Sequence, residues 1–279
     1  MRFDGPGSDN FEDRTGQSGG GGLNLGGGLG MILPLVASRF GIVGVLVLVL
    51  GYCALTQLGG GGMLGGGSTQ SGPSKLDPAT GKFMRQVLGS TEQVWGQVFQ
   101  QAGAKYTPTR LVAYTNYNQS GCGAAQAAMG PFYCPTDKQI YIDPAFFNEL
   151  SRRFGAPGDF AQAYVIAHEV GHHIQDLEGT LDKAQAAQAR AGTAGGNQIQ
   201  VGVELQADCY AGVWAARSGA LEQGDIEEGM RAAEAIGDDM LTKGQVSPDN
   251  FTHGTSAQRM EALRRGLSTG NPGSCNYAK

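Results

Sequence analysis

The sequence predicts an α+β domain, mostly helical with a small sheet, preceded by one transmembrane helix. Three observations carry this. Apolar residues recur at helical spacing through most of the chain after residue 82. Two short stretches, 110–116 and 139–143, read as strands. One run of 19 residues, Phe40 to Leu58, carries no charge and is almost wholly apolar.

In chain order, residues 1–30 come first. They are Gly-rich, polar and of mixed charge (Arg2, Asp4, Asp9, Glu12, Asp13, Arg14), and are expected to form a disordered tail. Residues 31–58 are read as the membrane segment, with its core at 40–58. As a helix that core would be about 28 Å long, against a hydrocarbon layer of roughly 30 Å. An apolar run between two Gly-rich stretches has no domain to be buried in. It also begins late and runs long for a cleaved signal peptide. Tyr52 is too bulky to precede a lipid-modified Cys53. Arg39 stands at the start of the span and the next positive residue is Lys75, which favours the N-terminus inside and the large part outside. The lipid bilayer is thus an expected partner through residues 40–58. Residues 59–81 read as a flexible linker and 82–279 as the folded domain.

Within that domain, helices are expected over 82–103, 146–154, 159–177 (N-capped by Asp159), 181–191, 199–217, 222–242 and 255–265. Gly195 and Gly196 read as a break. Thr255 and Gln258 have capping-box spacing, and Gly266 reads as the stop. Residues 118–131 read as irregular. Setting aside Cys53, four cysteines remain: Cys122, Cys134, Cys209 and Cys275. An even number fits two disulfides in an oxidising compartment. Cys122 with Cys134 closes a short Gly- and Pro-containing loop and is the preferred pair, which leaves Cys209 with Cys275. Four buried thiols are the alternative.

The net charge of −5 excludes an electrostatic nucleic-acid binder. Histidine points elsewhere: three of the four lie at 168, 172 and 173. His168-Glu169-Val170-Gly171-His172 fits HExxH. Residues four apart share a helix face, so both imidazoles can reach one ion. Glu169 sits a fraction of a turn away, where it can take a proton from a water that the metal activates. A catalytic zinc site needs a third protein ligand. Gln175 and Glu178 stand where a metzincin needs Gly and His, so that arrangement is excluded. Glu204, 32 residues beyond His172, supplies a carboxylate from a second helix, and Asp208, on the same face, can accept from the outer nitrogen of a ligand histidine. An ordinary exposed acidic pair is the plainer alternative. Asp176 and Glu178 are rival ligands, but they follow His172 too closely. His173 points away from the ligand face. His253 is a candidate transition-state donor, with Tyr141 and Arg259 as remoter candidates. Strand 139–143 is a candidate sheet edge for an extended peptide.

HEVGHH, followed by ELQADCYAG and a late HGTSAQR, resembles the neutral zinc metallopeptidase family of bacteria. Members of that family are similar in metal ligation to the HExxH-plus-Glu group typified by thermolysin. The resemblance covers tail, span, linker and domain. It implies a zincin-like domain and one Zn2+ held by His168, His172 and Glu204, with Glu169 as general base and Asp208 matching the Asp of ExxAD. The expectation is a membrane-anchored zinc peptidase of the bacterial inner membrane, acting on peptides or proteins in the periplasm or outside the cytoplasm. Its rivals are a non-catalytic zinc-binding scaffold or assembly factor of the envelope, and a zinc hydrolase of a non-peptide amide. Oligomeric state is left open.

Overall fold

In the computed structural model, which describes residues 1–18 and 70–278, helix α1 (Pro78–Gln101) begins where its first turn dictates. Asp77 accepts the Thr80 N–H, and Pro78 occupies a position that has no donor to lose. Its Met84, Val87, Leu88, Val94 and Trp95 face the core. Next come strand β2 (Arg110–Ala113), the hairpin β3 (Tyr117–Ser120) and β4 (Gly123–Gln126), then β5 (Phe132–Cys134) and β6 (Gln139–Ile142). An earlier strand, β1 (Phe11–Asp13), completes the main sheet, whose order is β1-β2-β6-β5. β1 and β6 run parallel to β2, and β5 is antiparallel to β6.

The sheet has two buried faces. Leu111, Ala113, Tyr133, Ile140 and Ile142 join the core shared with the helices, while Val112, Tyr114, Cys134 and Tyr141 pack with Ala125 of the hairpin. The remaining helices are α2 (Ala145–Arg152), α3 (Asp159–Leu177), α4 (Thr180–Gln188), α5 (Thr193–Ser218), α6 (Asp225–Ala235), α7 (Asp238–Leu241) and α8 (Ser256–Thr269). Disulfides join Cys122 to Cys134 and Cys209 to Cys275. The first ties the hairpin to β5; the second ties the C-terminal segment to the middle of α5.

Several expectations are corrected. Part of the expected disordered tail is folded: Phe11 is buried against α1, the Arg85 guanidinium lies 4.3 Å from its ring centre, and Glu92 accepts from Ser8 and Asn10. Apolar Phe3 and Phe11, set among polar residues, supply the anchorage that composition hides. Leu76 packs on the core and Ser74 donates to Asp13, so the last part of the expected linker belongs to the domain as well. Met1–Gln17 and Gly72–Lys279 form one compact unit.

This overturns the single-pass membrane protein. A single crossing of a bilayer leaves the chain before it and the chain after it on opposite sides, yet β1 and β2 are hydrogen-bonded neighbours in one sheet. Among the described residues, no helix is long and apolar enough to cross a membrane. The longest, α1 and α5, carry charged residues such as Lys82, Arg85, Glu92, Glu204 and Asp208. The expected transmembrane segment 31–58, with its core at 40–58, lies outside the described residues, as does Cys53.

Smaller corrections have local causes. Gly266 does not stop the last helix. A Cβ there would meet the Cys209 carbonyl oxygen, so this glycine lets α8 cross against α5, and Gly270, at φ +55°, ends the helix. The expected helix 222–242 is two helices, parted at Gly237, where a Cβ would collide with Ser256. Gly195 and Gly196 lie inside α5, and Gly158, not Asp159, caps α3. Strand β6 is interior; the edge strand beside it is β5, and β1 forms the opposite edge.

Candidate metal centre and cleft

The site rests on one close helix approach. A Cβ on Gly171 would lie 2.9 Å from the Ala207 carbonyl oxygen and 3.0 Å from its Cα. Glycine in the middle of HEVGHH therefore lets α3 and α5 touch backbone to backbone. The contact sets Glu204 and Asp208, one turn apart on α5, against His168 and His172, one turn apart on α3.

Three acceptor atoms converge there. His168 Nε2 lies 3.2 Å from His172 Nε2 and 3.2 Å from Glu204 Oε2, and His172 Nε2 lies 3.7 Å from the same oxygen. Tetrahedral zinc with Zn–N distances of about 2.0–2.1 Å separates its donors by about 3.3–3.4 Å. The observed triangle fits that spacing.

The tautomers fit as well. His168 Nδ1 is 2.8 Å from Asp208 Oδ1, and His172 Nδ1 is 2.8 Å from Gln175 Oε1. Each neutral ring donates from Nδ1 and keeps its Nε2 lone pair for the shared point. Two lone pairs and a carboxylate aimed at one another in a buried pocket call for a cation. Protonation shows the same demand. Burial works against charge on His168, but Asp208 and Glu204 outweigh it and push the imidazole up to about 10. His172 is raised in the same way, burial being outweighed chiefly by Glu204. Burial also works against the Glu204 carboxylate, and the two histidines hold it well below the usual range.

Asp208 is fully buried and densely partnered. Burial pushes its carboxyl up, but Arg259 and His168 outweigh that and bring it to about 2. Arg259 donates from Nε to Oδ2 at 2.8 Å and from Nη2 to Oδ1 at 2.8 Å, and Tyr164 donates its hydroxyl to Oδ1 at 2.5 Å. Arg259, a remote candidate for a transition-state donor, is here the counter-ion of the acid behind His168, with an edge in the cleft. Neither it nor Tyr164 announced this role in sequence. The available signal was a capping box that places Arg259 on the helix after HGT. Gln175, three residues beyond His172 on one helix face, has only that spacing as its signal in sequence.

Glu169 is buried in the same cleft, and burial foremost, helped by Glu204, raises its carboxyl above the usual value. The cleft encloses about 700 Å3. One wall is edge strand β5 with Phe132 and Tyr133; another is α4 with Leu181; Val165 and Phe154 add apolar surface. His253 also lines it. Asp238 Oδ1 is 3.1 Å from His253 Nδ1, and Oδ2 accepts the backbone N–H groups of Thr252, His253 and Gly254 at 2.6–3.0 Å. The acid therefore fixes the loop and turns Nε2 of His253 away from itself.

Other candidates lie elsewhere. His173 accepts from or donates to the Tyr133 hydroxyl at 3.1 Å and reaches the Thr107 carbonyl through Nε2, linking α3 to the edge strand. Asp176 accepts from Tyr133, and Glu178 from Tyr210, so neither competes for the metal. Tyr141 packs on the far face of the sheet and donates to Asp137.

Comparison with known proteins points to the same metal. The model of a family described as "putative neutral zinc metallopeptidase" matches residues 1–278. The chain is 45% identical over 278 residues to "Uncharacterized protein YpfJ" of Escherichia coli (strain K12), covering 96% of this chain and 95% of that one. It is 42% identical over 188 residues to "Uncharacterized protein Rv2575" of Mycobacterium tuberculosis (strain ATCC 25618 / H37Rv), covering 61% of this chain and 62% of the other. Neither name states an activity. No solved structure matches the chain.

Proposed function

Because this chain belongs to the neutral zinc metallopeptidase family, we propose that it hydrolyses peptide bonds at a single zinc site. The observation that carries this is the buried triangle of His168, His172 and Glu204 with Glu169 in the same cleft. One Zn2+ would be held by His168, His172 and Glu204. When bound, zinc polarises a water and the carbonyl it attacks.

The chain's own residues supply the rest. Glu169 takes the proton from the attacking water and passes it to the departing amine. A carboxylate beside that water is the kind of group such two-way transfer needs. A purely structural zinc site would have no use for it. Asp208, neutralised by Arg259, orients His168. With both ring nitrogens protonated, His253, held through Nδ1 by Asp238, would donate from Nε2 to the developing oxyanion. β5 offers an edge along which an extended peptide pairs by main-chain hydrogen bonds, and its side chains form part of the cleft wall. The two disulfides support residence in an oxidising compartment.

The test is digestion of an unbiased peptide library. Cleavage that a chelator abolishes and zinc restores is the expected result. A zinc-loaded protein that leaves every peptide intact but cleaves a non-peptide amide would overturn the reading.

A further inference from the structure

Gln175 is fully buried, yet every polar atom of its amide is used. Its Nε2 donates to the Val203 carbonyl at 2.8 Å and to Gln206 Oε1 at 2.9 Å, and its Oε1 faces His172 Nδ1 at 2.8 Å. Gln206 in turn donates from Nε2 to the Cys275 carbonyl at 2.9 Å. Cys275 is held in place by its disulfide to Cys209, on α5 three residues beyond Gln206.

The direction of each bond is forced. A carbonyl oxygen can only accept. The Cys275 carbonyl therefore turns Gln206 Nε2 toward itself and Gln206 Oε1 toward Gln175. That oxygen and the Val203 carbonyl together draw Gln175 Nε2, leaving Gln175 Oε1 for His172. Facing an acceptor, His172 must carry its proton on Nδ1 and present the Nε2 lone pair to the triangle. His168 gets the same instruction from a carboxylate, whereas His172 gets it from a neutral amide.

We infer that Gln175 and Gln206 are positioning residues. They fix the tautomer and ring orientation of His172, and through them the disulfide-anchored C-terminal segment sets the metal affinity of the site. The inference rests on His172 being a zinc ligand. Of the two glutamines, Gln175 carries more weight, because it touches the imidazole and is oriented by Val203 as well as by Gln206. Loss of Gln206 removes one of two orienting contacts; loss of Gln175 removes the acceptor itself.

The experiment is titration of metal-free, disulfide-intact protein with zinc against a competing chelator, with far-ultraviolet circular dichroism of each variant. Gln175→Leu should bind zinc about ten- to a hundred-fold more weakly, the usual cost of losing such a partner. Gln206→Leu should lose less. Gln175→Glu keeps an acceptor on Nδ1 but gives up both donors of Nε2, so where it folds it should bind zinc more tightly than Gln175→Leu. Should the Gln175 variants fail to fold, Gln206→Leu decides: wild-type zinc affinity in folded Gln206→Leu overturns the relay. Wild-type affinity in a folded Gln175→Leu overturns it too. Wild-type protein that binds no zinc removes the metal centre itself, a separate outcome from failure of the glutamines alone.

Discussion

Gly171→Ala adds one methyl group at the tightest point between α3 and α5. Its Cβ would lie 2.9 Å from the Ala207 carbonyl oxygen and 3.0 Å from the Ala207 Cα. Both are backbone atoms that cannot swing aside, so the helices must part by roughly half an ångström to regain ordinary contact. Two effects on stability oppose each other. Alanine is better than glycine inside a helix by about 1 kcal/mol, and overpacking costs about 1–3 kcal/mol. The expected net loss is therefore about 0–2 kcal/mol. The metal centre is less tolerant. Its histidines ride on α3 and Glu204 on α5, and ligand distances are held to about 0.2 Å. Zinc affinity should fall by about ten-fold or more, a cost of about 1.4 kcal/mol or greater. Thermal unfolding in chelator reads the first quantity, and competition titration reads the second. Unchanged zinc affinity in the variant would refute the claim that this helix contact sets the donor spacing.

Three further outcomes are expected. Arg259→Met strands the buried Asp208 carboxylate and should cost about 3–5 kcal/mol in urea unfolding; a loss under about 1 kcal/mol, typical of surface pairs, would contradict its role as counter-ion. The folded-state pKa of Asp208 is depressed to about 2, so its contribution is present above the ordinary value of 3.8 and is lost as pH falls through 2. It amounts to about 2 kcal/mol, and metal-free protein unfolding equally readily at pH 5 and pH 2 would count against it. His253→Ala should lower kcat about a hundred-fold with zinc affinity unchanged, and unaltered turnover would remove it as the oxyanion donor.

What was legible in sequence was local. HExxH spacing, the Glu204–Asp208 pair and the capping box at Thr255 each depend on residues within about one helical turn. What was hidden depended on partners far apart in the chain. Arg259 reaches Asp208 across 51 residues and Gln206 reaches the Cys275 carbonyl across 69, and neither spacing has a local signature. Glycine has several structural meanings that sequence alone does not separate. Gly266 looked like a helix stop because it comes after a run of helix formers, yet its missing side chain is what α5 packs against. The N-terminal residues misled in the opposite direction. Their polar composition suggested disorder, but Phe3 and Phe11 reach α1 and β1 joins the sheet, and with that pairing a single membrane crossing became untenable.

In the proposed mechanism Glu169 moves protons at a zinc site it does not help to hold. Glu169→Gln keeps the shape of the side chain and removes only its basicity. The variant should hold one zinc per chain, bound as in wild type, with peptide hydrolysis reduced about a hundred-fold or more. Wild-type turnover with zinc in place would contradict it.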